Sequence, residues 1–252
     1  ADHIVIGTGA RSRILPTIPQ DGKKIFGYRE AMNLPKQPKK LIIVGSGAIG
    51  VEFAYFYNSL GTKVTIVEYL TNLVPLEDHE ISKELEKSFK KRGINVMTSS
   101  EVTSISTKGK GVKAVIKTSK GEETLEADTL LSATGVKSNI EDIGLEKVGI
   151  AVDKDKILVN SYYQTNIPGY YAIGDIVPGP ALAHVASAEG ILCVEKIAGH
   201  DVTPIDYGNI PGCTYCSPEI SSVGLTEKQA IDKGFDVKIG KFPFSASGKA
   251  SA

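Results

Sequence analysis

The chain has 252 residues, 41% of them hydrophobic and 23% charged, a composition that suits a globular protein with material for more than one core. Lysine plus arginine equals aspartate plus glutamate at 29 each, and no block of like charge runs beyond a few residues, which argues against nucleic acid and acidic membranes as partners. No stretch nears the roughly 20 apolar residues of a membrane span, and no basic region followed by an apolar core opens the chain, so a cytoplasmic protein, or one processed within an organelle, is expected.

Ala1-Asp2-His3 leads without an initiator methionine into the strand-like Ile4-Val5-Ile6, and nothing resembling a terminal element closes the chain at Ser251-Ala252, so a segment of a longer protein is expected. Residues 34–40, with two prolines among polar side chains, read as an interdomain linker. A strand at 41–44, a glycine-rich turn at 45–50, a helix over about 51–60, Gly61 and a strand at 64–68 make one βαβ unit, the building block of parallel, doubly wound α/β sheets. A second helix starts near Asp78, a suitable N-cap, with Ile81, Leu85 and Phe89 as one apolar stripe, and stops at Lys90-Lys91-Arg92-Gly93. A strand at 94–97 extends the sheet. Three short alternating runs over 101–127, broken at Lys108-Gly109-Lys110-Gly111 and Lys120-Gly121, predict an antiparallel meander, and 128–133 returns as a buried strand. Further on come a strand candidate at 157–159, an apolar run at 170–173 ending in Gly174-Asp175, and helical periodicity over 181–199. A strand-like stretch from Pro204 and a helix at 226–233 begin a new unit.

Gly45-Ser46-Gly47-Ala48-Ile49-Gly50 is a G-x-G-x-x-G turn that follows a strand and opens a helix. Gly45 permits the turn, Gly47 lets backbone approach a pyrophosphate, Gly50 allows close packing, and the helix N-terminus offers free amides to phosphate. A turn that merely tightens a loop is the alternative. Glu68, 18 positions beyond Gly50, stands where a carboxylate accepts bonds from both ribose hydroxyls of NAD(H) and repels a 2′-phosphate. Tyr69, Leu70 and Thr71 follow it, none basic, which favours NAD(H) over NADP(H). Cys213 and Cys216 form a C-x-x-C pair, a redox dithiol or half a zinc site in one reading and ordinary cysteines in another. No second ligand pair exists, and His3, His79, His184 and His200 are scattered, which favours the ordinary reading and no metal.

The order of these motifs resembles the flavoprotein disulfide reductases, and within them the dihydrolipoamide dehydrogenases, over essentially every residue present. Ile6-Gly7-Thr8-Gly9-Ala10 is similar to the segment where the flavin domain hands the chain to the nicotinamide domain, and Ala133-Thr134-Gly135 to its return. The resemblance implies that Thr8, Gly9 and Ala10 lie beside FAD, Gly135 beside NAD, and the Val102 backbone near adenine. It also implies that Asp175, closing Tyr171-Ala172-Ile173-Gly174-Asp175, bonds the ribityl chain of FAD. Leu182, Ala183 and His184 would bring helix N-terminal amides to the flavin pyrimidine, through backbone and not through a histidine base. Glu52 matches a glutamate on the nicotinamide side that pairs with a flavin-domain lysine.

Tyr215-Cys216-Ser217-Pro218-Glu219, Val223-Gly224-Leu225-Thr226-Glu227 and Gly240-Lys241-Phe242-Pro243-Phe244 resemble the opening of the family's interface domain, which puts the C-x-x-C pair on an interface strand away from the redox disulfide. Val136-Lys137-Ser138-Asn139 departs from the family, which commonly carries arginine and proline after the glycine.

The resemblance thus implies a two-dinucleotide-binding-domain flavoprotein fold, FAD/NAD(P)-binding and Rossmann-like, with the start of an α+β interface domain. The implied division is FAD domain 1–35, NAD domain 36–150, FAD domain again 151–203 and interface domain 204–252. It further implies a homodimer that passes electrons from dihydrolipoamide, carried by the dihydrolipoyl protein of a 2-oxo-acid dehydrogenase complex, through a disulfide and FAD to NAD+. The first FAD glycine turn, the C-x-x-x-x-C pair and the histidine-glutamate base of that scheme are absent from the 252 residues, so the chain alone is expected to lack lipoamide activity and to hold no catalytic side chain. A glutathione or mercuric reductase, an NADH oxidase or ferredoxin reductase, and a non-enzymatic NAD-binding module remain as alternatives.

Overall fold

A computed structural model describes residues 1–251; Ala252, named above at the end of the chain, lies outside them. Lys-Leu-Ile-Ile-Val at Lys40–Val44 (β4) is apolar on both faces, as a central parallel strand must be, and 41–44 are all buried. It sits third in a five-stranded parallel sheet with Ile25–Phe26 (β3), Thr129–Ser132 (β10), Lys63–Val67 (β5) and Asn95–Met97 (β6), ordered β3-β10-β4-β5-β6. Leu41 and Ile43 face one core with Ala31 of the short helix Tyr28–Ala31 (α1), Val51, Ala54 and Tyr57 of helix Ala48–Ser59 (α2) and Leu85 and Phe89 of helix His79–Lys91 (α3). Ile42 and Val44 face the other way.

That second face is covered by the expected meander, Glu101–Ser106 (β7), Val112–Thr118 (β8) and Gly121–Ala127 (β9), and not by helices as in a doubly wound sheet. Val112, Ala114 and Ile116 explain why. Period-2 alternation puts all three against the sheet at 0–1% exposure, with Lys113 and Lys117 outward.

Three local expectations change. Helix α2 begins at Ala48, inside the glycine motif, and not near 51. Ile81 is 44% exposed while Ser82 takes the buried place beside Leu85 and Phe89, because the first turn of α3 meets the 72–74 loop: Asn72 Nδ2 donates to Ser82 Oγ, which donates to the Val74 carbonyl. The 34–40 stretch is tethered, with Gln37 Nε2 donating to the Leu60 carbonyl and the Lys39 and Lys40 amides to Asp128 Oδ2. The sheet moreover already takes β3 from before it.

A second body pairs Ile4–Ile6 (β1) in parallel with Tyr170–Ala172 (β14). Helix Ala183–Ile197 (α4) packs on it through Val185, Glu189, Leu192 and Cys193, spaced as one helical face. Val152–Asp153 (β12) and Lys156–Ile157 (β13) form a small hairpin at its side. The bodies are joined by an antiparallel ribbon of Ala10–Ser12 (β2) and Val136–Ser138 (β11).

The stretch from Pro204 is not a strand; pairing starts with Gly212–Thr214 (β15) against Ile220–Ser222 (β16). Cys216 and Ile220 enter the α2/α3 core. Helix Glu227–Asp232 (α5) follows, with Thr226 and Gln229 as a reciprocal capping box. Among the described residues no helix is long and apolar enough to cross a membrane.

Candidate dinucleotide sites and the crossing between them

The three glycines of the turn after β4 differ in what excludes a side chain. At Gly45, with φ of +98°, an added Cβ would sit 2.4 Å from the Ala133 carbonyl, and at Gly50 it would sit 2.1 Å from that of Gly45. At Gly47 it would meet nothing within 4 Å, so the protein itself does not require this glycine. Space is left there for an outside group at the start of α2, where Gly47 caps without a side chain and the Ala48 and Ile49 amides precede the first intrahelical bonds. An anion fits this cradle.

Glu68, 7% exposed, follows β5 directly. Its Oε2 accepts from the Ser46 amide and hydroxyl, both at 2.7 Å, and its Oε1 from the Leu70 amide at 2.8 Å. The carboxylate therefore braces the glycine turn, three of its about four lone-pair positions being used within the protein. That role was not anticipated from sequence. Val102 is buried among the meander residues and its backbone pairs with Ile116. Glu52 accepts from the Tyr215 amide at 2.8 Å, which ties the first turns of α2 to the β15–β16 hairpin.

On the second body, Gly174, with φ of +75°, donates its amide to Glu189 Oε2 at 2.6 Å. The Asp175 carboxylate has no hydrogen-bond partner among the described residues, whereas its backbone carbonyl accepts from Ser138 Oγ at 2.8 Å and from Lys156 Nζ. A carboxylate left free on a turn this firmly held fits a polyol ligand such as the ribityl chain. Leu182 caps α4 without a side-chain bond, leaving the exposed Ala183 and His184 to offer amides.

Sequence reading missed Glu189, 2% exposed, whose Oε1 accepts from the Tyr207 hydroxyl, itself 3.0 Å from that of Tyr163. Burial and the neighbouring Glu189 carboxylate push the Tyr207 phenol far up from its ordinary value. An acidic residue inside the apolar stripe of Val185 and Leu192 was the available signal.

The two passages between bodies lie side by side. Thr8 Oγ1 donates to the Asn139 carbonyl at 2.6 Å, Asn139 Nδ2 to that of Thr8 at 3.0 Å, and the Asn139 amide to that of Gly9 at 2.8 Å. Ala10 is buried and pairs with Ser138, and the Arg13 amide donates to the Gly135 carbonyl at 3.0 Å. Outside the ribbon, Arg11 and Lys137 both pair with Glu141, at 2.8 and 2.6 Å, and hold its carboxyl far below the usual carboxylate range.

An open cradle that fits an anion on a parallel sheet, an aspartate carboxylate left unbonded on a second body and a double crossing between them are what a scaffold for two nucleotides requires. The chain belongs to the pyridine nucleotide-disulphide oxidoreductase family, which it matches over residues 1–190, and residues 210–252 match that family's dimerisation domain. The family's cofactors are FAD and NAD.

Dihydrolipoyl dehydrogenase from Rhizobium etli is 48% identical over 254 residues, covering 100% of this chain and 53% of the relative. The mitochondrial dihydrolipoyl dehydrogenase of Pisum sativum is 41% identical over 253 residues, covering 99% and 50%. Among solved structures, LpdA from Mycobacterium tuberculosis superposes with a TM-score of 0.91 at 31% identity, covering 100% of this chain and 54% of that one. The chain spans about half the length of the curated relatives it matches.

Proposed function

We propose that this chain supplies the NAD(H) site, part of the FAD site and the opening of the dimer interface of a dihydrolipoyl dehydrogenase. The whole protein would be a homodimer that oxidises dihydrolipoyl groups carried by a 2-oxo-acid dehydrogenase complex and reduces NAD+. The observation that carries this reading is the 48% identity to a dihydrolipoyl dehydrogenase over the full chain. With one bacterial and one mitochondrial relative, we place the protein in the cytoplasm or an organellar matrix.

In this reading the amides of Gly47, Ala48 and Ile49 receive the NAD pyrophosphate, while Gly45, Gly50 and Ser46, whose own amide goes to Glu68, hold the turn beneath it. Glu68 fixes the turn and presents its remaining lone pair to the adenosine ribose, with the Val102 backbone near adenine. Gly135 and Glu52 lie toward the nicotinamide. Thr8, Gly9 and Ala10 line the flavin side, Asp175 accepts from the ribityl hydroxyls, and the amides of Ala183 and His184, beyond the capping Leu182, steady negative charge on the flavin edge. Bound FAD supplies the two-electron chemistry between disulfide and nicotinamide. Domain limits of 1–35, 36–150, 151–203 and 204–252 remain our division, with β3 contributed across the first of them.

The test is NADH oxidation by the full-length protein with lipoamide, oxidised glutathione or no disulfide acceptor, repeated with NADPH. Rapid turnover only with NADH and lipoamide is expected. Turnover with glutathione and NADPH, or without any disulfide, would refute the assignment.

A further inference from the structure

The turn that presents Asp175 is held at both ends by groups remote in sequence. Its amide end, Gly174 N, is bound by the Glu189 carboxylate, and its carbonyl end, Asp175 O, by Ser138 Oγ and Lys156 Nζ. Lys156 Nζ also donates to Ser138 Oγ at 3.0 Å, and the Ser138 amide donates to Asp155 Oδ2 at 3.3 Å. Ser138 is fully buried. A carboxylate on the N-H and an ammonium on the C=O each match the local backbone dipole, so the peptide planes on either side of the Gly174–Asp175 peptide are both held and only the Asp175 carboxylate stays free to bond outward.

We propose that Lys156, acting with Ser138, is a positioning residue that aims the Asp175 carboxylate at the flavin ribityl chain. It couples that aim to the ribbon joining the bodies, because Ser138 is the last residue of β11. The inference rests on the reading of Asp175 as an FAD residue.

The experiment uses the full-length flavoprotein. FAD affinity is read from the rise in flavin fluorescence on dilution, NADH affinity of the apoprotein from NADH fluorescence, and apoprotein Tm serves as a control. Lys156→Met and Ser138→Ala are each expected to weaken FAD binding about five- to tenfold, as loss of a charge-assisted or buried hydrogen bond does. Because both groups hold one oxygen, the double variant should fall short of the product of the two. Lys156→Arg should stay within about threefold of the parent, and NADH affinity should not change in any of them.

Normal FAD retention in Lys156→Met and Ser138→Ala, with loss in Asp175→Asn, overturns the positioning role and leaves the Asp175 reading intact. Equal loss of FAD, NADH and Tm without rescue by arginine also overturns it, as a general defect. Normal FAD affinity in Asp175→Asn removes the Asp175 reading and the positioning role with it.

Discussion

One added methyl group separates the two uses of glycine in the 45–50 turn. Gly50→Ala drives a Cβ to 2.1 Å from the Gly45 carbonyl and should destabilise the protein by about 1–3 kcal/mol, the usual range for overpacking, visible as a fall in Tm. Gly47→Ala meets nothing within 4 Å and should leave Tm unchanged while weakening NADH binding at least about tenfold. Unaltered NADH binding in Gly47→Ala would remove the pyrophosphate from this spot.

The cysteines divide in the same way, by surroundings and not by spacing. Cys213 is exposed, whereas Cys216 and Cys193 are buried. Burial, then Glu52 and Glu219, push the Cys216 thiol up to about 11. Iodoacetamide at pH 8 should therefore label Cys213 alone, and mass mapping that finds label on Cys216 would contradict the packing. Because folding raises this pKa, the stability from keeping the thiol neutral is full below the ordinary thiol range and lost as pH rises through about 11. The gap between the native protein and Cys216→Ala in denaturant midpoint should accordingly narrow from pH 8 to about 11.

Elements whose ends are written locally are the ones sequence reveals. Helix α3 has Asp78 accepting from the Glu80 amide, Lys90 and Lys91 in its last turn and Gly93 at φ +82°, all visible as residue types in order. Asp78→Ala should cost about 1 kcal/mol by denaturant titration, and an unchanged midpoint would mean the cap carries nothing. The meander was legible for a similar reason, since its glycine breaks and alternation set strand and face together. Strand β3 was not, because two residues carry no period and its pairing with Leu130 and Leu131 is fixed from about a hundred positions away. The candidate site divides along the same line. The glycine turn announces itself, because contiguous residues must satisfy its sterics. Asp175 was singled out only by the family resemblance, and Ser138 and Lys156 look ordinary until the fold assembles them on its carbonyl.

At the scale of the whole molecule, the body built on the five-stranded sheet has a core on each face of that sheet, while the second body has the two smaller clusters. Residues 13–135 made alone should fold and bind NADH within about tenfold of the whole chain, because almost all of their packing is internal. An unfolded product by circular dichroism would show that Cys216 and Ile220, which reach in from beyond the ribbon, are indispensable. The ribbon itself has one more consequence. Since the backbone departs at Arg13 and comes home at Gly135, hydrogen-bonded across 3.0 Å, the intervening stretch is an insert joined to its host by one short hairpin and otherwise met by the 212–222 hairpin, through Cys216 and Ile220. Such an insert can be lengthened, shortened or exchanged for a foreign one without moving either end of its host, so genetic recombination at these two points would be tolerated where cuts elsewhere in the sheet would not.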